Sequence, residues 1–377
     1  IPYNPRYLVG LAALQPEHSS ALLRRALTLN ECDARSWVQL GLDAEFQLGD
    51  LALAEQSYHR AAEVNHMFYP ASNLANFYYR YQRRNEFFEW AHRALLMAYD
   101  DPTLLFVEIW SLSDDPRFNQ RLLPERVRVI LAPYVSFLMQ TNRLDAVEGL
   151  LSRLLKRMTI DRYDKEQPYA ASFNHDYHEL FGLSLDRLLA ANRYQAAQRL
   201  WKELMEANWL QTPLPTSAVP LTNGDFRRPT FGHGFDWVFL PVEHVSVEQI
   251  PVSSRLRISF DGKEPEASRL LQQFVVLEPN QRYRLTWTAE SDRIAKDSGF
   301  QWRLLPVSEK GPAETSDLVS PDLLGLTDTG TWDFTAPAQP LNLLVLDYAR
   351  RSGTVRPEGE LSLSGVALNL SAQGTAQ

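Results

Sequence analysis

The chain is poor in cysteine, in long apolar runs and in positive charge. Cys32 is the single cysteine among 377 residues, so no disulfide forms within the chain and the redox compartment goes unmarked. No stretch approaches the ~18 consecutive apolar residues that a membrane-crossing helix needs. Lys and Arg number 38 against 46 Asp and Glu, for a formal net charge of −8. That balance excludes the overall electrostatic footprint of a chain built to hold nucleic acid or an anionic membrane. Local pairs such as Arg24-Arg25 and Arg350-Arg351 read as solvated faces. No secretory signal pattern is visible. The first residue is Ile1 rather than Met, and the expectation is a chain trimmed of an export signal or membrane anchor.

Catalytic signatures are missing too. There is no Gly-rich phosphate loop, no G-x-S-x-G and no Cys/His arrangement at catalytic spacing. Asp114-Asp115 precede Pro116 and read as a turn. The densest ionisable cluster is FNHDYHELFG, residues 173–182. His175 and His178 share one side of a helix there. A metal needs three or four ligands, no second motif supplies them, and Gly182 stands where H-E-x-x-H requires its second His. Asn174 or Asp176 is expected instead to start a helix. No catalytic residue, metal ligand or cofactor is assigned, and the chain is expected not to be an enzyme.

What is present is repetition in a chain long enough for about two or three domains. Trp37, Leu40 and Gly41 recur as Ala71, Leu74 and Ala75, 34 residues later. Ala26-Leu27 recurs as Ala61-Ala62 and again as Ala94-Leu95, at intervals of 35 and 33. Gly49-Asp50 ends one helix and turns into the next, on which Ala54, Tyr58 and Ala61 follow at helical spacing. Small residues at Gly41, Ala54 and Ala61 let two helices approach. Trp37, Leu40 and Tyr58 fill the gap to the next pair. One pair cannot bury its own apolar face, so neighbours must stack.

This pattern resembles the tetratricopeptide repeat, with Ala44 where Tyr is usual and one extra residue in the turn. About two and a half repeats run from Tyr7 to Tyr99. Helical periodicity continues through residues 142–155 and 192–204, with residues 159–172 expected to loop out between them. The resemblance implies a protein or peptide partner on the concave face formed by the first helices. Counting from Trp37, that face presents Arg35, Leu42, Glu45, Asn76, Tyr79, Arg80 and Trp110. Asn76 and Arg80 stand where some members of the family clamp a chain-terminal carboxylate, but the full set of clamp positions is absent.

Residues 209–220 are rich in Pro, which lacks the amide donor and disfavours helix just before it. Beyond them apolar residues alternate. Leu256, Ile258 and Phe260 share one face, as do Tyr283, Leu285, Trp287 and Ala289, and Phe300, Trp302 and Leu304. Residues 341–349 suit a central strand, and 360–370 alternate up to a bulge expected at Gly365. About eight short strands separated by turns indicate a β-sandwich or jelly roll. Asn223-Gly224-Asp225-Phe226 is expected to open the first strand, with Gly224 taking positive φ and Phe226 facing the new core.

NGDF followed by residues 234–237, then 268–289, 330–337 and 362–369, resembles in order the jelly-roll carbohydrate-binding modules of bacterial glycoside hydrolases. The resemblance implies glycan binding and a structural calcium. Ser364-Gly365 replace the usual Asp, however, and Asp225 alone is not a calcium site. A sugar needs an exposed ring face and flanking hydrogen-bonding groups. Trp237, Trp332 and Tyr348 are the candidate platforms. Gln301, Arg303 and Arg350 are the polar candidates, while Trp287 and Trp302 are assigned to the core.

The organisation expected is an α-solenoid over 1–208, a Pro-rich linker over 209–220, an antiparallel β-sandwich over 221–371 and a flexible tail over 372–377. The function expected is a non-catalytic adaptor: solenoid for a protein or peptide, sandwich for a glycan. The pairing resembles bacterial envelope or periplasmic proteins of exopolysaccharide assembly or export, a cytoplasmic place being the alternative. Two other readings are a purely structural scaffold whose sandwich no longer binds sugar, and an accessory subunit of a separate carbohydrate-active enzyme.

Overall fold

The structure is a computed structural model describing residues 4–164, 170–325 and 327–371, with only the backbone described for 160–164 and 170–176. The expected flexible tail, 372–377, lies outside the described residues. The helices are α1 (Pro5–Leu14), α2 (Ser19–Leu29), α3 (Ala34–Asp43), α4 (Leu51–Val64), α5 (Phe68–Arg80) and α6 (Arg84–Met97). They continue as α7 (Thr103–Leu112), α8 (Pro116–Arg121), α9 (Ala132–Gln140), α10 (Leu144–Asp164), α11 (Ala170–Ala190) and α12 (Tyr194–Glu206). α1 packs on α2, α3 on α4 and α5 on α6, and successive pairs join through α2–α3 and α4–α5. Caps fix the starts: Asn4 accepts the Arg6 amide, Asp50 the Leu53 amide and Asp115 the Arg117 amide. A Cβ on Gly41 would lie 2.7 Å from the Tyr58 ring, so only glycine lets α3 close on α4.

The chain falls into two compact units, residues 1–162 and 163–377. Helix gives way to sheet at the prolines, but the division by packing lies elsewhere: α11 and α12 belong to the unit that holds the sheets. Trp201 of α12 is fully buried against Phe231 and Phe235, and its indole NH donates to the Thr212 carbonyl at 3.2 Å. Of the segment expected to loop out over 159–172, residues 159–164 lie in α10 and 170–172 in α11, both helical, and 165–169 lie outside the described residues. Asn174 and Asp176 therefore sit within α11, not at its start.

The strands are β1 (Val238–Phe239), β2 (Val245–Ile250), β3 (Arg255–Asp261), β4 (Ala267–Val276), β5 (Arg282–Asp292) and β6 (Phe300–Ser308). After them come β7 (Gly311–Pro312), β8 (Val319–Asp322), β9 (Thr329–Thr335), β10 (Leu341–Ala349) and β11 (Glu358–Leu370). One antiparallel sheet has the order β1-β4-β10-β6-β7 with β8 on β6, and the other β2-β3-β11-β5-β9. Alternation holds on β5, whose Tyr283, Leu285, Trp287 and Ala289 enter the core between the sheets. Register slips between Ser364 and Ala367, placing the expected bulge at Gly365. Three strands escape the sequence pattern, β7 and β8 because they are short and β2 because it lies at a sheet edge and alternates weakly.

NGDF is a turn rather than a strand. Positive φ falls on Asn223 and Phe226, not on Gly224. Gly224 is needed for close approach instead: a Cβ there would stand 1.8 Å from the Val366 carbonyl, and the Gly224 carbonyl accepts the Val366 amide at 2.9 Å. Phe226 is fully buried in the sandwich core, as its position implies. The proline segment is a strap along the sandwich, with Tyr283 Oη donating to the Ser217 carbonyl at 3.1 Å and Leu221 entering the core.

Candidate functional site

The helical unit presents one ordered surface. Arg35, Gln39, Leu42 and Phe46 follow at i, i+4, i+7 and i+11, so they line one face. Tyr69, Asn73, Asn76 and Arg80 do the same on α5, and Leu104, Val107 and Ser111 on α7. Large apolar groups on these stripes meet solvent: Phe46 is 65% exposed, Tyr69 46%, Leu104 60% and Val107 47%.

The extra residue of the α3–α4 turn is absorbed as a π-helical turn over Ala44–Leu48, ended by Gly49 at φ 66°. Such a turn re-aims the side chains it carries. Glu45 thereby points inward, with no exposed side-chain surface. Arg80 donates to it twice, Nε to Oε1 at 2.6 Å and Nη2 to Oε2 at 2.7 Å, and Tyr58 Oη donates to Oε2 at 2.8 Å. Burial, then the Glu45 hydrogen bond, holds the Tyr58 phenol far above its ordinary pKa. The Arg80 guanidinium also lies 5.2 Å from the Phe46 ring centre. On the other flank, Ser111 Oγ donates to Tyr79 Oη at 3.1 Å. The Asn76 amide NH2, oriented as its neighbours require, donates to the Glu108 carboxylate at 2.9 and 3.1 Å and to the Ser72 carbonyl at 3.2 Å. Burial pushes Glu108 up to about 7, with Arg80 pulling the other way.

Of the groove candidates, Arg35 and Arg80 are exposed, and Asn76 and Tyr79 half-buried, on these faces. Trp110 is a correction. It is 5% exposed, its indole NH donates to Tyr134 Oη at 2.8 Å and Arg143 stacks on its ring at 4.2 Å. Its position is one step off the α7 stripe, which turns it into the helix packing. Glu45 is likewise buried, as the partner that fixes Arg80.

The sandwich candidates separate differently. Trp237, Trp332 and Tyr348 are 0%, 7% and 1% exposed, so none offers a ring face to a sugar. Trp237 bonds the Asn223 carbonyl at 3.1 Å, Trp332 packs on Phe334 at 4.5 Å and Tyr348 on Phe300 at 5.0 Å. The small sandwich core takes its bulk from these rings. Trp287 and Trp302 are core residues, as assigned. The polar candidates have partners already: Gln301 donates to the Ser320 carbonyl at 3.0 Å, Arg303 faces Asp347 at 3.6 Å and Arg350 holds Glu266 and the Thr354 carbonyl. The outward face of the β2-β3-β11-β5-β9 sheet carries no aromatic side chain among the described residues. Arg255 pairs there with Glu290 at 2.7 Å and Arg284 with Asp333 at 2.7 Å.

The calcium implied by the jelly-roll resemblance does not fit. Asp225 faces Arg227 at 3.6 Å, and Arg227 Nε donates to Ser254 Oγ at 3.0 Å. A guanidinium thus stands beside the one carboxylate, and Ser364-Gly365 add none. Among the described residues no three His, Cys, Asp or Glu side chains gather as metal ligands. The side chains of His175 and Asp176 lie outside the described residues. His178 packs edge-on to Phe231 at 4.3 Å. A cleft of about 530 Å³ beside the strap is rimmed by Arg227 and Arg228, and Arg228 bonds the Gln211 carbonyl at 3.3 Å.

One clamp was not legible in the sequence. His233 Nδ1 meets Asp186 Oδ2 at 2.6 Å, the Gly234 amide donates to Asp186 Oδ1 at 2.7 Å, and His233 Nε2 lies 3.7 Å from Glu179. The Asp186 hydrogen bond raises the pKa of His233 against the pull of burial, and Glu179 adds to it. The pairing spans 47 residues and has no motif.

The chain is similar to tetratricopeptide-repeat proteins over its helices and to carbohydrate-binding modules over its sheets. No family model matches it, and no curated protein does. Solved structures similar to it include a CBM4 module, at 14% identity and TM-score 0.29 over 40% of this chain and 98% of that one. PilF of Pseudomonas aeruginosa aligns at 16% identity and TM-score 0.24, over 54% of this chain and 76% of that one. YrrB, described as a TPR protein with an unusual peptide-binding site, aligns at 11% and TM-score 0.22, over 49% and 91%. No helix among the described residues is long and apolar enough to cross a membrane.

Proposed function

We propose that the protein is a non-catalytic interaction protein whose solenoid groove holds a segment of a protein partner, with the sandwich as a structural module. The observation that carries this reading is the exposed apolar stripe of Phe46, Tyr69, Leu104 and Val107 on successive inner helices. Exposed apolar groups lined up among polar ones are what a docked peptide covers. Cross-helix bonds from Arg80, Asn76 and Tyr79 hold that face rigid before binding, which lowers the ordering cost. The test is panning of the full chain against random peptides displayed on phage. Enriched peptides are expected to lose binding to a Leu104→Asp, Val107→Asp variant of unchanged melting temperature. Equal binding to that variant removes the groove.

A glycan role for the sandwich has lost its ring platforms, which favours the scaffold reading over the sugar-binding one. A glycan array probed with the full chain is expected to stay blank. Glycan binding that disappears with Arg303→Ala or Arg350→Ala in a folded chain would restore the sugar reading. We further propose a place in bacterial exopolysaccharide assembly or export, on the resemblance of the paired repeat and jelly-roll sequences to such proteins. Cell fractionation that recovers the protein away from the envelope overturns it.

A further inference from the structure

Resting on the groove reading, we propose that the segment seated in the groove carries a lysine or arginine whose cation pairs with Glu108. The α7 stripe places Leu104, Val107, Glu108 and Ser111 at i, i+3, i+4 and i+7, so the carboxylate belongs to the same face as two exposed aliphatic side chains. Glu108 is 6% exposed, against 60% for Leu104 and 47% for Val107. A carboxylate withdrawn this far from water needs a cation or several donors to stay charged. Its donor is the neutral Asn76 amide. Among the described residues no Lys, Arg or His lies within ion-pair distance of it. The cation whose field it feels is Arg80, which already donates Nε and Nη2 to Glu45.

The groove therefore has on its floor a carboxyl group that ionises above about pH 7 and, among the described residues, no cation within ion-pair distance to meet it. A lysine or arginine stem lies naturally along Leu104 and Val107 while its head reaches the carboxylate, since these side chains are apolar up to the charged tip. Asn76, half-buried, keeps the place until the cation arrives. An acidic or wholly apolar segment leaves Glu108 as it is and gains nothing from it. The facing charged groups are Arg80 on α5 and Glu45 in the π-helical turn after α3, which neutralise each other. Cation binding favours the carboxylate form, so affinity for a basic peptide falls as pH drops below about 7, where Glu108 takes up a proton.

The experiment uses the peptides enriched by panning the full chain. A basic residue flanked by apolar ones is expected in the enriched set, and replacing it by norleucine is expected to weaken binding about tenfold, the order of one charge-assisted hydrogen bond. Glu108→Gln is expected to erase that difference while leaving the norleucine peptide bound. If Glu108→Gln fails to fold, the norleucine comparison on the natural chain at about pH 6 and pH 8 decides, with the preference expected to grow toward the higher pH. Enriched peptides without a basic residue, or a preference that survives Glu108→Gln, overturn the proposal and leave the groove standing. A library that yields no binder takes the groove down and this proposal with it.

Discussion

Glu45 and Glu108 show how two carboxylates on one groove take opposite electrostatic roles. Glu45 is fully buried and held twice by Arg80. Arg80→Ala leaves that charge uncompensated, and a loss of about 3 kcal/mol is expected in urea denaturation, the low end for a broken buried pair because Arg80 is a third exposed. Adding Glu45→Gln to Arg80→Ala is expected to recover most of it. Glu108 has the reverse dependence. Its folded pKa is about 7, above the ordinary carboxylate value, so the folded state binds its proton more tightly than the unfolded chain does. Glu108→Gln is therefore expected to raise stability at about pH 8, by about 2 kcal/mol, with little effect at about pH 4. A stabilisation that is flat with pH contradicts the burial argument. The sequence marks neither case, because Glu45 owes its orientation to a π-helical turn and Glu108 has only the neutral Asn76 amide from α5 as its donor.

At the scale of elements, the α3–α4 connection and the 231–237 loop carry the least readable structure. The extra turn residue is visible in the repeat spacing, but its effect, turning Glu45 inward, is not. Deleting Gln47 is expected to restore an α-helical register, swing Glu45 away from Arg80 and lower the melting temperature. An unchanged melt speaks against the π turn as the source of that contact. The loop is pinned to α11 by His233 between Asp186 and Glu179. A raised histidine pKa stabilises fully below the unfolded value of about 6.5 and loses its contribution as pH rises through the folded value. The stability difference between the natural chain and His233→Gln is thus expected to be larger at about pH 6 than at about pH 9, by denaturant melts at both. The strands of the sandwich, by contrast, follow their alternation closely, as β5 and the bulge at Gly365 illustrate.

For the whole molecule, packing divides the chain at 162/163 although the secondary structure changes at the prolines. Trp201 and Phe235 are both fully buried, one on α12 and one in the loop before β1. Residues 221–377 alone are expected to bind a hydrophobic dye and melt without cooperativity, whereas 163–377 are expected to fold; two equal, sharp melts refute that dependence. Periodicity along the chain determined the helix pairs, the two sheets and most of the core, because the spacing of apolar residues is itself the record of which face is hidden. Gly41 and Tyr58 were placed by that spacing, whereas Phe226, expected on a first strand, reaches the core from a turn. Only the tertiary structure decided that Trp237, Trp332 and Tyr348 face inward, that Trp110 leaves the groove and that Asp186 belongs to His233. A ring on a strand can point to either side with the same local pattern, and a pair 47 residues apart leaves no periodic trace. Such contacts exist only once separate elements have come together.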